Sequence, residues 1–440
     1  MLNDNKPQLR LRERDAIIQS LRAGVTPRTG LQHIQVGRAR EVEAMLKDIQ
    51  QISEGGSAFR LIIGDFGSGK SFFLQLIRAI ALEKGLVTLH ADLSPDRRLH
   101  ATEGQARNLY AELMRNLSTR TKQEGNALAS VVERFITEAR KQAEITGDRV
   151  DTVIADRLSQ LSELVGGYEF SKVIATYWKG YDQGNEQLKL DAIRWLRGEF
   201  TTKTDARKAL DVRTIVDDAS IYDHLKLLSL FVRQAGYNGL LINLDEMVNL
   251  YKLSSQKARI SNYEQILRML NDCLQGSAEY LGFFLGGTPD FLIDPRKGLY
   301  SYEALHSRLA ENSFAKKTGI IDYSAPALHL ANLAPEELFL LLRNLRHVFS
   351  GGDSKKYLIP DEALIAFLTH CSKRIGDAYF KTPRNTIKAF IDLLSILDQN
   401  PELQWTQLIT QIDLMEEIST DMPFINADTV NNDELATFKL

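Results

Sequence analysis

Ala58-Phe59-Arg60-Leu61-Ile62-Ile63-Gly64-Asp65-Phe66-Gly67-Ser68-Gly69-Lys70-Ser71 is the stretch that decides the fold. An apolar run, Ala58 to Ile63, reads as a strand and passes directly into Gly64-x-x-x-x-Gly69-Lys70-Ser71, which opens the helical sequence SFFLQLIRAIALEK. Strand, glycine loop and helix in that order make a cradle for phosphate. Glycines let the backbone wrap closely enough for its N–H groups to face the anion, and the helix adds the positive end of its dipole. The same string could close a simple glycine-rich turn, but the flanking strand and helix favour the phosphate reading. Gly64, Asp65, Phe66, Gly67, Ser68, Gly69, Lys70, Ser71 and the following Phe72 are therefore the candidate nucleotide-binding segment. Within it Lys70 is the side-chain cation for the β- and γ-phosphates, and Ser71 offers a hydroxyl to Mg²⁺.

Outward from this segment, three more runs read as strands: Leu86 to Leu93, Gly239 to Glu246 and Leu281 to Gly287. Helical periodicity fills the intervals, so the class is α/β, a parallel sheet with crossover helices. The interval from about Ala101 to Gln234 is too long for a simple crossover and reads as a mostly helical insertion, a candidate recognition element separable from the nucleotide site. After Phe314 the sequence is again helical, as expected of a C-terminal lid. The expected divisions are a flanking helix and loop over 1–36, an α/β nucleotide domain over 37–314, a lid over 315–400, and a helix with an acidic, loosely ordered tail over 401–440.

A phosphate loop needs a carboxylate partner, because Mg-nucleotide brings cationic charge that phosphate alone does not hold. The run from Leu240 to Leu244 ends in Asp245-Glu246, which puts two acids at a strand's carboxyl end, where ligands gather in α/β sheets. Asp245 is the candidate Mg²⁺ ligand, through water, and Glu246 the candidate base for the attacking water. A solvated acidic turn is the plainer reading, and the phosphate loop tips the balance. Asn243 interrupts the apolar run without an evident role. At the end of the last strand Thr288 could touch a γ-phosphate or cap the chain before Pro289. Arg308 and Arg384 could each bring a guanidinium to a γ-phosphate or simply be solvated.

Composition narrows the classes. The chain has 440 residues, 54 Lys+Arg against 57 Asp+Glu, and hence a net charge of −3 without the positive excess of a non-specific nucleic-acid binder. Two cysteines, Cys273 and Cys371, exclude a disulfide scaffold and a cysteine-based zinc site, and favour reducing cytoplasm. A charged N-terminal sequence, MLNDNKPQLRLRERD, does not suit a signal peptide, and no apolar run is long enough to span a bilayer.

The order Gly37-Arg38, phosphate loop, Asp245-Glu246 strand, Thr288, Arg308 and Arg384 resembles that of the AAA+ ATPases over roughly Leu31 to Leu397. Within them it looks most like the initiator and helicase-loader (Orc/Cdc6-like) branch. More narrowly, GVTPRTGLQHIQVGRAREVEAMLKDI, GGSAFRLIIGDFGSGKSFF and LHADLSPDRRLHATEG resemble the ATP-binding proteins of BREX-type bacterial antiphage islands. The resemblance implies ATP and Mg²⁺ as cofactors and Arg38 beside the adenine. It makes Thr288 a first sensor, Arg308 an arginine finger acting on a neighbouring copy and Arg384 a second sensor in the lid. It also implies a homo-oligomer working with a helicase, nuclease or other defence protein, and DNA contacted directly or through that partner. Two departures stand out: the long interval before Asp245, and too little chain after Leu397 for a winged-helix DNA-binding domain.

Overall fold

The computed structural model describes residues 9–375 and 383–411; the acidic stretch from Glu416 lies outside the described residues. Five parallel strands, β1 (Ser57–Ile63), β2 (Val87–Asp92), β3 (Leu240–Asp245), β4 (Leu281–Gly287) and β5 (Ala327–His329), form one sheet in the order β2-β3-β4-β1-β5. The first four lie within one residue of the runs read from sequence. The fifth was not anticipated. Three residues are too few to show a period, yet β5 pairs with β1 from Leu61↔Ala327 to Ile63↔His329, so the sheet continues past residue 314.

Both faces of the sheet are covered, as a parallel sheet requires. On one face Ala58, Ile62, Leu241 and Phe284 pack against α3 (Ala39–Ser53) and α4 (Lys70–Glu83). Arg60 is buried on this central strand because its Nε and Nη2 donate to the two carboxylate oxygens of Asp48 on α3, at 2.6 and 2.8 Å. The interval between β2 and β3 forms seven helices: Gln105–Arg115, Leu128–Thr146, Val150–Ser162, Gly167–Asp182, Glu186–Leu196, Lys203–Leu210 and Ile221–Gln234, named α5 to α11. These do not stand apart from the sheet. Leu109 and Leu113 of α5 and Leu225 and Leu228 of α11 share one core with Leu89, Ile242 and Phe283, so the insertion also roofs the second face. Farther out, Phe231 of α11 meets the rings of Phe135 and Phe170 at 5.1 and 5.5 Å.

The remaining helices are α12 (Val248–Tyr251), α13 (Gln256–Gln275), α14 (Pro289–Ile293), α15 (Glu303–Leu309), α16 (Ser313–Thr318), α17 (Pro335–Phe349), α18 (Asp361–Ile375), α19 (Pro383–Gln399) and α20 (Trp405–Ile409). Helices α17 to α19 have a core of their own, with Leu338, Leu342, Phe367 and Phe390. Ile17 of α1 (Leu11–Arg22) and Ile34 of α2 (Leu31–Ile34) belong to it. The N-terminal segment, read from sequence as a separate flank, is thus packed with the C-terminal helices, and its apolar face is the reason.

Candidate functional site

Strand order assembles the site. Because β4 lies between β1 and β3, the loop after β1, Thr288 after β4, and Asp245-Glu246 at the end of β3 stand side by side along one edge. Asp92, the last residue of β2, is register-paired with Asp245 and adds a third carboxylate. Sequence reading overlooked Asp92, although the signal was the one used for Asp245: an acid closing an apolar strand.

The loop has the backbone that its glycines permit, with Gly67 at φ 78° and Gly69 at φ 89°. A Cβ at Gly64 would lie 2.4 Å from Ser68 Oγ and 3.2 Å from Leu330 O, so a side chain there would displace the Ser68 hydroxyl. Lys70 Nζ donates to the carbonyls of Gly64 and Asp65, both at 2.8 Å, and so folds back across the loop. Burial lowers its pKa, opposed by the charges of Asp245, Glu246 and Asp65. Ser71 Oγ donates to Asp245 Oδ2 at 2.6 Å, joining the start of α4 to the end of β3. Asn243 now has a role: its Nδ2 donates to Leu74 O at 3.0 Å and ties the same strand to the same helix.

Glu246 is held at φ 58°, a left-handed conformation uncommon for a residue with a side chain, while its N–H donates to Asp245 Oδ1 at 2.8 Å. Desolvation, then Asp245 and Asp92, raise its carboxyl pKa, whereas Lys70 pulls it down. Asp92 is raised by desolvation and then by Asp245. Both acids remain solvent-exposed, which screens these effects. Both shifts run the same way because each carboxyl is partly desolvated beside other carboxylates.

A cavity of about 250 Å³ opens beside this edge. Phe66 to Phe72, Asp245, Glu246 and Thr288 line it, opposite Val25, Ile34, Val36, Leu341 and Ile387 from the N-terminal segment and the C-terminal helices. Gly64 and Asp65 are not in the wall and contribute their carbonyls to Lys70. Thr288 lines the cavity and also caps α14, accepting from Phe291 N at 3.4 Å. Arg384 is at the wall, where its Nε donates to Gly24 O at 2.6 Å. Arg38 is there as well, with its guanidinium on backbone carbonyls of the loop and of the segment before α17. Arg308 is not among the lining residues; its Nε donates to Asn271 Oδ1 at 2.7 Å and its Nη1 to Ala304 O at 2.8 Å.

A central parallel strand leading through a glycine loop into a helix, with acids at the neighbouring strand end, defines a P-loop type of nucleotide-binding α/β protein. The chain belongs to the BREX system ATP-binding protein BrxC/D family, whose profile matches residues 9–413. No curated protein matches the chain. Family membership makes ATP the ligand and connects the chain to BREX antiphage defence. Among the described residues, no helix is long and apolar enough to cross a membrane.

Proposed function

We propose that the chain is a Mg²⁺-dependent ATPase of AAA+ type that couples ATP binding and hydrolysis to self-assembly, or to engagement of a partner or DNA, within BREX defence. The observation that carries this reading is the 2.6 Å contact of Ser71 Oγ with Asp245 Oδ2, beside Lys70 and Glu246. A hydroxyl and a carboxylate are the hard oxygen donors that Mg²⁺ selects, and they adjoin the loop that would hold the phosphates. Among the described residues no group of three or more acidic, His or Cys side chains is arranged to hold a metal alone, so phosphate and water oxygens would complete the shell. The bound cation would neutralise charge on the phosphates. Lys70 would exchange its two carbonyl partners for phosphate oxygens. Glu246 would orient and deprotonate the attacking water, and Thr288 and Arg384 would contact the γ-phosphate or the water from their side of the cavity.

Glu246→Gln tests the assignment. It is expected to bind ATP as the unaltered protein does and to lose at least about a hundredfold in turnover, since a positioned base contributes on that scale. Undiminished hydrolysis in that variant would remove Glu246 from the mechanism.

A second reading, an ATP-dependent switch or scaffold that turns over slowly and recruits a nuclease or helicase, is favoured by one observation. Arg308 is engaged with Asn271 and Ala304 and does not line its own chain's cavity, so a lone chain would lack that guanidinium at the γ-phosphate. Turnover measured with and without DNA and a co-purified BREX protein separates the two readings.

A further inference from the structure

Arg38 has an arrangement that contact with a base would not require. It sits at φ 62°, directly after Gly37 at φ 61°, so two successive left-handed residues precede α3 and only the first is a glycine. A residue with a side chain is costly there and persists where its surroundings over-determine it. Those surroundings are specific. The Arg38 side chain is only 12% exposed, its Nη1 lies 3.7 Å from Glu41 Oε1, and its Nη2 donates at 3.0 Å to the carbonyl of Ser68, inside the phosphate loop. The same Nη2 donates to the carbonyl of Ala331, in the connection from β5 to α17. Beside it Gly37 is pressed on Glu337 of α17, where an added Cβ would come within 2.1 Å of Oε1. Glu337 is fixed in turn, accepting from Ala334 N at 2.9 Å.

The carbonyl that Arg38 holds belongs to the peptide joining Ser68 to Gly69. In a planar trans peptide the C=O and N–H point in opposite directions, so anchoring the Ser68 oxygen outside the loop sets where the Gly69 N–H points. Gly69 is the N-cap of α4 in a left-handed conformation, which glycine reaches at little cost and can leave as readily. Without an external anchor this peptide could rotate and present its oxygen to an incoming phosphate.

We propose that Arg38 is a positioning residue for the polyphosphate: by binding Ser68 O and Ala331 O together, it locks the Ser68–Gly69 peptide with its N–H directed at the phosphates, and makes that orientation depend on the connection to the C-terminal helices. The proposal rests on the nucleotide reading of the loop and changes the part assigned to Arg38, from a neighbour of the adenine to a strut on the phosphate loop.

The experiment compares inorganic tripolyphosphate, ATP and adenosine as ligands by calorimetry or competition. Arg38→Gly suits the left-handed backbone, so it deletes the guanidinium without straining the start of α3; Arg38→Lys keeps a positive charge but ends one bond short of the two carbonyls. Both variants are expected to bind tripolyphosphate and ATP about tenfold or more weakly, the scale of a charge-assisted hydrogen bond, while adenosine affinity stays within about twofold. Millimolar guanidinium is expected to restore part of the tripolyphosphate affinity of Arg38→Gly, which a general loss of folding would not permit. Loss of adenosine affinity equal to that of ATP would return Arg38 to the base and overturn the proposal. Unaltered tripolyphosphate binding in Arg38→Gly would overturn it too, and full retention in Arg38→Lys would reduce Arg38 to a point charge. If the unaltered protein binds neither ATP nor tripolyphosphate, the nucleotide reading itself fails.

Discussion

Ser71 and Asp245 are 174 positions apart and meet at 2.6 Å, and Gly286, which has no side chain, lies against the Asp245 carboxylate. In the proposed function Lys70 would serve the phosphates and Ser71 the cation, and their variants should then separate accordingly. Lys70→Ala is expected to weaken ATP binding about tenfold to a hundredfold with or without Mg²⁺, by loss of charge-assisted hydrogen bonds, whereas Ser71→Ala should affect only the Mg²⁺-dependent part. Titration of nucleotide into each variant with and without EDTA measures this, and equal losses in both would merge the two roles. Gly286 supplies a second test. A Cβ there would lie 2.4 Å from Asp245 Oδ1 and 3.0 Å from Leu74 Cδ1, so Gly286→Ala is expected to displace the carboxylate that Ser71 holds. Expected is a loss of Mg²⁺-stimulated ATP affinity with a smaller change in melting temperature; unaltered affinity would show that Asp245 can shift without cost.

At the scale of elements, the helices between β2 and β3 are joined to the sheet by a continuous core, and this alters what their removal should do. Replacing 101–234 by a short linker would strip α5 and α11 from Leu89, Ile242 and Phe283, exposing sheet residues that each hold about 1.5–3 kcal/mol of burial. The shortened chain is expected to lose its near-ultraviolet dichroism and to aggregate; a folded, ATP-binding remnant would establish the separable recognition element that the sequence suggests. Inside the same core His224 of α11 is 4% exposed, with Tyr110 and Trp195 edge-on at 6.2 and 5.4 Å. Burial first, against the opposing charges of Asp223 and Asp217, lowers its pKa from 6.5 to about 4. A depressed histidine gives stability that is complete above the unfolded value and is lost as pH falls toward the folded one, because the unfolded chain takes up the proton first. Stability should therefore drop between pH 6.5 and about 4, by on the order of 3 kcal/mol at most from this group. His224→Phe should flatten that part of the curve, and an unchanged acid limb in chemical denaturation would assign it to other groups.

For the whole molecule, the cavity lies where three parts of the chain meet: the sheet edge, the N-terminal segment and the C-terminal helices. A nucleotide there would touch all three, which is the physical basis for linking its presence to their arrangement. Arg308 faces elsewhere, held by Asn271 and Ala304, and this orientation gives the proposed self-assembly its sharpest test. Arg308→Ala and Lys70→Ala chains, each inactive alone, are expected to regain hydrolysis when mixed, up to about a quarter of the specific activity if copies combine at random into two-chain sites. Rates that stay at zero on mixing, together with linear dependence of wild-type rate on concentration, would leave the chain a monomeric switch.

What the sequence determined by itself was local: four strands, the glycine loop, and the acids at the end of β3. Each is encoded by neighbours, through apolar runs, φ angles that favour glycine, and charge at a strand terminus. The family was legible for the same reason, since contiguous strings carry it. Only the tertiary structure set Asp92 beside Asp245, because strand order and register are not written in either strand. It alone supplied β5, too short to have a period, and packed α1 against helices more than 300 residues away through an apolar face whose partner no local pattern names. Arg38 is the clearest case. The family resemblance implied a place beside the adenine; that its guanidinium also binds Ser68 O and Ala331 O could be learned only from the structure, because where a long side chain ends depends on which backbone carbonyls the fold brings within its reach.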